Sequence, residues 1–410
     1  MAFSKPENQR CRLDFPALAR TIDGVPVAFL DGPAGTQVPR AVIDATTGYY
    51  ERCNANTHGQ FITSWESDKL IWDAREAVAA FLGAHGPASI SFGANMTTLA
   101  FALAHALGRR LAAGDEVVIT QLDHEANRGP WLMLEERGVV VRGVALRPDG
   151  RLDAEDMART IGKRTRIVAF GMASNALGTV NDVALARRLS QQVGAVLVLD
   201  AVHYAPHFPI DVRALGTDFL LCSAYKFYGP HVGILYSRPG LLEHLRTDRL
   251  STQDDTAPSR IETGTQNHAA IAGVKAAVEY IASWGELGSQ RERMVSAMDG
   301  IAAWEHALAA YYASQVQQIR GVTVWGTDFS SPRRAPTVSI TIDGRTPTEA
   351  ARHLGERGVF VWDGNFYAAR AVEVLGLAAR GGLLRTGVSM YTTREDIDRL
   401  LTGIVEIAAA

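Results

Sequence analysis

Between about residues 70 and 240 the apolar positions fall into short unbroken runs. Val117-Val118-Ile119 follows a turn signal at Gly114-Asp115. Arg166-Ile167-Val168-Ala169-Phe170, Ala195-Val196-Leu197-Val198-Leu199 and Phe219-Leu220-Leu221-Cys222 repeat the pattern. Continuous rather than alternating runs predict strands buried on both faces, as in a parallel sheet. Helix-spaced stretches, such as 183–192, lie between them, so the alternation predicts an α/β fold with crossover helices. Residues 273–312 carry few breakers and predict a helical link to a second domain. Beyond it, Thr337-Val338-Ser339-Ile340-Thr341-Ile342 alternates strictly, which predicts a half-exposed antiparallel strand. Thr392 and Glu395 make a capping-box pattern. Ile397, Leu400, Leu401 and Ile404 then share one helical face.

The chain has 410 residues, more than the roughly 250–300 that one core organises. The pattern divides it into an N-terminal segment (1–25) packing on a small domain, a large domain (26–272), and a linker helix with a small α+β domain (273–410). The net charge of −3 comes with no basic stripe, which argues against a nucleic-acid partner. The three cysteines, Cys11, Cys53 and Cys222, are too few and too far apart for a disulfide framework or a zinc site. No metal is expected, and a reducing, cytoplasmic setting is. The polar start MAFSKPENQRCRLDF lacks a signal-peptide core, and no run reaches the roughly 20 apolar residues of a membrane span.

In open α/β sheets, ligands bind beyond the carboxyl ends of the strands. One predicted strand ends in Asp200, and the next leads through Ser223-Ala224-Tyr225 to Lys226. A carboxylate and a lysine at neighbouring strand mouths suit pyridoxal 5′-phosphate (PLP). The amine binds the cofactor aldehyde as a Schiff base, and the carboxylate keeps the pyridine nitrogen protonated. Gly93-Ala94-Asn95-Met96-Thr97-Thr98 opens an Ala/Leu-rich helix whose N-terminus suits a phosphate. His124 follows the Val117–Ile119 run, where it could stack on a flat ring. Arg385 stands in an apolar run and could grip a substrate carboxylate. Taken singly, each residue also has an ordinary structural reading as a surface lysine, a cap or a turn histidine.

Together these motifs resemble the class-V aminotransferases of PLP fold type I, and cysteine desulfurases in particular. The likeness runs from about Phe29 to Ile404. Its most specific stretch is VLDAVHYAPHFPIDVRALGTDFLLCSAYKFYGPHVGILY. The resemblance implies a large, mainly parallel sheet domain with a smaller α+β C-terminal domain. It implies catalytic roles for Lys226, as Schiff-base lysine and proton carrier, for Asp200 at the pyridine nitrogen and for His124 against the ring. His203 and Asn175 would lie near the ring hydroxyl, with Asn175 also near substrate. Asn95, Met96, Ser223 and Tyr225 would hold the phosphate, Tyr225 replacing the family's usual histidine. Thr265, in ETGTQNH, matches a threonine that reaches the neighbouring subunit's phosphate, which implies a homodimer with shared active sites.

One stretch departs from the desulfurase pattern. Desulfurases carry Arg-x-Gly-His-x-Cys, whose cysteine takes the substrate sulfur. Here the stretch is Val361-Trp362-Asp363-Gly364-Asn365-Phe366-Tyr367-Ala368, with Tyr367 in the cysteine's place, and no cysteine follows Cys222. A persulfide relay needs a thiolate. The reading is therefore a desulfurase-like enzyme without that relay: a C–S (β-elimination) lyase acting on cysteine or a cysteine S-conjugate. Arg385 would hold the substrate, and Trp362 and Tyr367 would line its pocket. The alternatives are an aminotransferase, an epimerase or a decarboxylating deaminase on the same cofactor. A non-catalytic PLP-fold protein is disfavoured by the complete set of Lys226, Asp200, His124 and Arg385.

Overall fold

The computed structural model describes residues 3–409. Seven strands form the large sheet: β1 (Ile90–Gly93), β2 (Glu116–Thr120), β3 (Val140–Val144), β4 (Thr165–Gly171), β5 (Val196–Asp200), β6 (Phe219–Ser223) and β7 (Gly233–Ser237). Their spatial order is β1-β7-β6-β5-β4-β2-β3. All run parallel except β7, which pairs antiparallel with both β1 and β6. The continuous apolar runs sit where the patterning predicts, at the buried centre of a mostly parallel sheet. The antiparallel β7 was not anticipated. Its run, Gly233-Ile234-Leu235-Tyr236-Ser237, is as apolar as its neighbours, so composition carries no signal of its direction.

A second sheet contains β8 (Val322–Trp325), β9 (Thr337–Ile342), β10 (Trp362–Gly364) and β11 (Leu383–Gly387), in the order β8-β9-β11-β10 and antiparallel throughout. The expectation of a half-exposed β9 is wrong, because all six of its residues are buried. Val338, Ile340 and Ile342 pack with Leu308, Ile397, Leu400 and Ile404 of the helices behind the sheet. The hydroxyl face turns to the large domain instead of water. There the Thr337 hydroxyl lies 2.9 Å from His203 Nε2, and the Ser339 hydroxyl donates to the Ala176 carbonyl. Alternation reports two unlike faces, and here both are covered.

The helical link is also interrupted. One helix spans His268–Ala282 and the next Gln290–Val316. Between them, a Cβ on Gly285 would lie 1.9 Å from the Arg293 carbonyl oxygen, and Gly288 has φ +149°. Ser289 and Glu292 then form a capping box that starts the second helix. At the C-terminus the reciprocal cap joins Thr393 and Asp396, one residue beyond the expected pair. Thr392 instead accepts from the Ser389 amide. The start of the chain is tied to its end. In the Lys5–Leu13 helix, Asn8 donates to the carbonyls of Met390 and Thr392, and Ala28–Phe29 pairs in parallel with Val359–Phe360.

Candidate active site

Five parallel strands of the large sheet end at one edge, and each is followed closely by a polar side chain of one cleft. Asn95 follows β1, Asp123 and His124 follow β2, and Asn175 follows β4. Asp200 closes β5, and Lys226 stands three residues past β6. This is the edge at which open α/β sheets bind ligands. The cleft has an inner chamber of about 70 Å³ that opens into an outer cavity of about 1150 Å³. His124, Asn175, Tyr225 and Lys226 line both.

Asp200 and Lys226 follow strands that pair directly, with Val198 opposite Phe219. Burial pushes the Asp200 carboxyl up to about 6, although the Val202 amide, donating at 2.9 Å, and Lys226 favour its charged form. Burial and then the Arg385 charge lower the Lys226 amine to about 7, while Asp200 opposes the shift. The amine is held by the carbonyls of Pro33 and Ala34, the latter at 3.0 Å. His124 Nδ1 accepts the Ala126 N–H at 3.0 Å, which leaves the ring proton on Nε2. Burial, with Lys226 and Arg385 nearby, lowers this imidazole to about 4, so it is neutral at physiological pH. His203 is buried too, and its Nδ1 has no hydrogen-bond partner among the described residues.

The helix Met96–Gly108 points its N-terminus into the inner chamber. Asn95 caps it by accepting the Thr98 N–H at 2.9 Å, and the Met96 N–H donates to Ser223 Oγ at 3.1 Å. Gly233 makes this closeness possible, because a Cβ there would sit 2.3 Å from the Asn95 carbonyl carbon. Tyr225 is stacked on His231 at 4.6 Å between ring centres.

The second sheet supplies the outer cavity. Arg385 is 3% exposed. Its Nη1 donates to the Asn175 carbonyl at 3.1 Å, and its guanidinium lies 4.1 Å from the Phe366 ring centre. Burial lowers it to about 9, and Asp31 counteracts that shift. Among the described residues its Nε has no hydrogen-bond partner, and neither has Asn175 Oδ1, although Asn175 Nδ2 donates to the Phe366 carbonyl. Trp362 and Tyr367 stand at the mouth, 48% and 72% exposed. Phe366 and Tyr367 take left-handed backbones in succession, φ +55° and +57°, which is costly for residues with a Cβ. The Glu125 N–H clamps this turn by donating to the Tyr367 carbonyl at 2.7 Å.

The structure thus brings together the sequence-predicted residues with one exception. Thr265 is exposed and lines neither cavity of its own chain. Sequence reasoning missed Asp123, which is fully enclosed, accepts the Thr120 and Gly171 amides at 2.8 Å each, and is pushed up to about 7 by burial. It also missed Asp31, whose burial lifts it to about 6. Each acid follows an apolar run, the same signal that singled out Asp200.

These residues fit PLP. The chamber offers an amine of lowered basicity, a buried carboxylate on the adjacent strand and a neutral flat imidazole. It also offers the N-terminus of the Met96–Gly108 helix, which the glycine at position 233 lets pack close against the sheet. The unpaired His203 Nδ1 and Asn175 Oδ1 are buried polar atoms of the kind a ligand satisfies.

The comparisons with known proteins agree with this geometry. The sequence model of the class-V aminotransferases matches residues 28–400. A protein of Streptomyces coelicolor named as a probable cysteine desulfurase is 33% identical, over 98% of this chain and 97% of its own. A cysteine desulfurase of Yersinia pestis is 32% identical over 97% and 98%. Among solved structures, the apo cysteine desulfurase of Thermococcus onnurineus superposes with a TM-score of 0.88 at 25% identity, covering 98% of each chain. A cysteine desulfurase of Escherichia coli gives 0.85 at 27% identity, again over 98% of each.

Proposed function

The chain belongs to the class-V aminotransferase family of PLP-dependent enzymes, and from that premise we propose that it is a C–S lyase acting on a cysteine S-conjugate without a persulfide relay. The observation that carries the reading is the placement of the thiols. Among the described residues no cysteine lines either cavity, and Cys11 and Cys222 are buried with their thiols pushed up by burial. The mouth position is held by Tyr367. A sulfur that leaves with its own organic group needs no acceptor. The outer cavity, at about 1150 Å³, exceeds the roughly 300–1,000 Å³ usual for small-molecule pockets and has room for such a group.

Arg385 takes the substrate carboxylate, with its unpaired Nε and Asn175 Oδ1 as further anchors for the amino-acid end. Lys226, half deprotonated near pH 7, removes the α-proton onto Nζ. Bound PLP supplies the electron sink that makes this proton removable. Asp200 would hold its pyridine nitrogen, His124 would cover its ring, and Asn95, Met96, Ser223 and Tyr225 would hold its phosphate. The Cβ–S bond then breaks with its electron pair on sulfur, which leaves as the thiol after taking a proton. The remaining three-carbon fragment hydrolyses to pyruvate and ammonia.

The second half of the reading is a cytoplasmic homodimer with shared active sites. It is supported by the exposure of Thr265 and by Ile62, Trp65 and Trp72, exposed along one helix beside the exposed Phe61. Light scattering should give twice the chain mass, and Thr265→Ala should weaken cofactor retention. No described helix is long and apolar enough to cross a membrane.

The test of the reaction is a panel of S-substituted cysteines assayed for thiol and pyruvate, with Lys226→Ala as control. Equimolar release from at least one conjugate is expected. Carbon dioxide, or amino transfer to a keto acid, in place of pyruvate would replace the lyase with a decarboxylase or an aminotransferase.

A further inference from the structure

One buried acid lies outside the chemistry of the cleft. Glu305, on the Gln290–Val316 helix that joins the two domains, is 0% exposed. Its Oε2 lies 2.7 Å from His207 Nδ1, and its Oε1 accepts from the Tyr228 hydroxyl over a longer 3.4 Å. That hydroxyl accepts the Met390 amide at 3.2 Å, and among the described residues its proton has no acceptor other than Glu305. Burial raises the Glu305 carboxyl, and His207 and then Tyr228 oppose the shift. Apolar side chains of similar volume often match or exceed the stability of such a buried pair. Stability alone therefore does not explain it.

Both contacts lead to the inner chamber. His203 and His207 stand four residues apart on a helical turn after β5, in which the Ala205 amide bonds the Ala201 carbonyl and the Phe208 amide bonds the Tyr204 carbonyl. Residues so spaced share a face. The two rings meet edge to face, 5.4 Å apart at 75°. His203 lines the chamber, and its Nε2 lies 2.9 Å from the Thr337 hydroxyl, so its ring is held from two sides. Tyr228 stands two residues past Lys226 with a left-handed backbone, φ +68°, which a residue with a Cβ adopts only at a cost. Its amide donates to Thr36 Oγ1 at 2.8 Å, close in sequence to the Pro33 and Ala34 carbonyls that hold the Lys226 amine. The costly backbone is thus clamped at one end by Thr36 and at the other, through the phenol, by Glu305 and Met390.

We propose that Glu305 is a positioning residue of the cofactor site: from the interdomain helix it fixes the His207 ring behind His203 and the Tyr228 hydroxyl behind Lys226. One carboxylate then sets two walls of the chamber relative to each other, and it does so only while that helix is seated. The role is the same whichever substrate bond breaks, so it stands apart from the lyase reading.

The test uses the full chain loaded with PLP, and the variants Glu305→Gln, Tyr228→Phe and the two combined. Glutamine keeps the volume of the acid but cannot accept on both arms. Visible circular dichroism of the bound cofactor reports the tilt of its ring. Decay of the near-visible band after dilution reports its release, measured well below each unfolding midpoint. Glu305→Gln should alter the dichroic band and release the cofactor about tenfold faster, and Tyr228→Phe about threefold faster. The combined variant should exceed Glu305→Gln alone by no more than about twofold, because both substitutions cut the same link. A lowered midpoint with dichroism and release unchanged overturns the proposal and leaves Glu305 a scaffold role. So does full multiplication of the two effects. If Glu305→Gln does not fold, Glu305→Met decides, since an apolar side chain fills the same space. The same faster release is expected of it, and unchanged release there overturns the proposal equally.

Discussion

The inner chamber and the outer cavity share six lining residues yet are built by opposite means. The chamber stands on the ends of parallel strands, with its side chains fixed by backbone amides: Asp200 by Val202, Asp123 by Thr120 and Gly171, His124 by Ala126. The cavity mouth hangs on the short strand β10 and a turn of two left-handed residues, with Trp362 and Tyr367 in solvent. The first region carries chemistry that many substrates can use. In the proposed reading the second is the part that one substrate shapes, with Tyr367 in the place of the desulfurase cysteine. A scaffold that keeps its cofactor site rigid can vary its specificity on adjoining loops.

The comparison can be broken at several points. Lys226→Ala should abolish the near-visible cofactor band and cut pyruvate release by at least roughly 10²–10⁴-fold, the scale of a lost proton-transfer group. Retained turnover would move the chemistry out of the chamber. Arg385→Lys keeps the charge and loses the fork, so KM for the amino acid should rise roughly 10- to 100-fold with a smaller change in kcat. An unchanged KM would remove Arg385 from substrate binding.

The pH dependence sharpens the contrast. Lys226 is lowered to about 7, and only its deprotonated amine attacks the cofactor aldehyde. Capture of added PLP should therefore rise with pH up to about 7 and level off above it. Below that point it should fall by up to about tenfold per unit. His124, at about 4, stays neutral across that window and should contribute no second step. Stopped-flow absorbance at a series of pH values reads this directly.

Asp123→Asn turns an NH₂ toward one of two backbone donors. It should cost about 1–3 kcal/mol, seen as a thermal midpoint lower by a few degrees. No loss of stability would show that this carboxylate is not part of the chamber's frame. The smallest effect is expected from Tyr367→Phe, which should leave kcat within about twofold because the side chain is mostly solvent-exposed. Tyr367→Ala should change KM for bulky conjugates more than for small ones. If Tyr367→Phe abolishes turnover, the hydroxyl belongs to the chemistry and the division between the regions fails.

The same division separates what could be read in advance from what could not. Asp200 and Lys226 were legible because a buried parallel strand is a continuous apolar run, and the residues just past its end meet the ligand. Asp123 followed the same rule and was overlooked beside the more conspicuous His124. Other features had no local signal. β9 alternates as a half-exposed strand does, but its Thr337 and Ser339 hydroxyls are satisfied across the domain boundary. The left-handed Phe366-Tyr367 pair lacks the glycine that would have announced it, since burial of Phe366 and the Glu125 clamp impose that backbone from outside. The break at Gly285–Gly288 was passed over in the reading of 273–312 as one helical link, although its two glycines and Ser289 with Glu292 carry the signal.

The stitching of the chain's first thirty residues to residues 359–392 has a consequence for biosynthesis. Asn8 finds its partners at Met390 and Thr392, and Ala28–Phe29 pairs at Val359–Phe360. At the roughly 5–20 residues per second of translation, the N-terminal segment waits about 20–80 s after leaving the ribosome before its partners exist. During that interval the nascent large domain holds Phe15, whose rings of contact include Tyr391, with part of its packing still unmade. The N-terminal segment is thus completed only once residues 359–392 are made, and a chain truncated before about residue 390 would leave Phe15 and its neighbours as exposed apolar surface for chaperones and proteases to find.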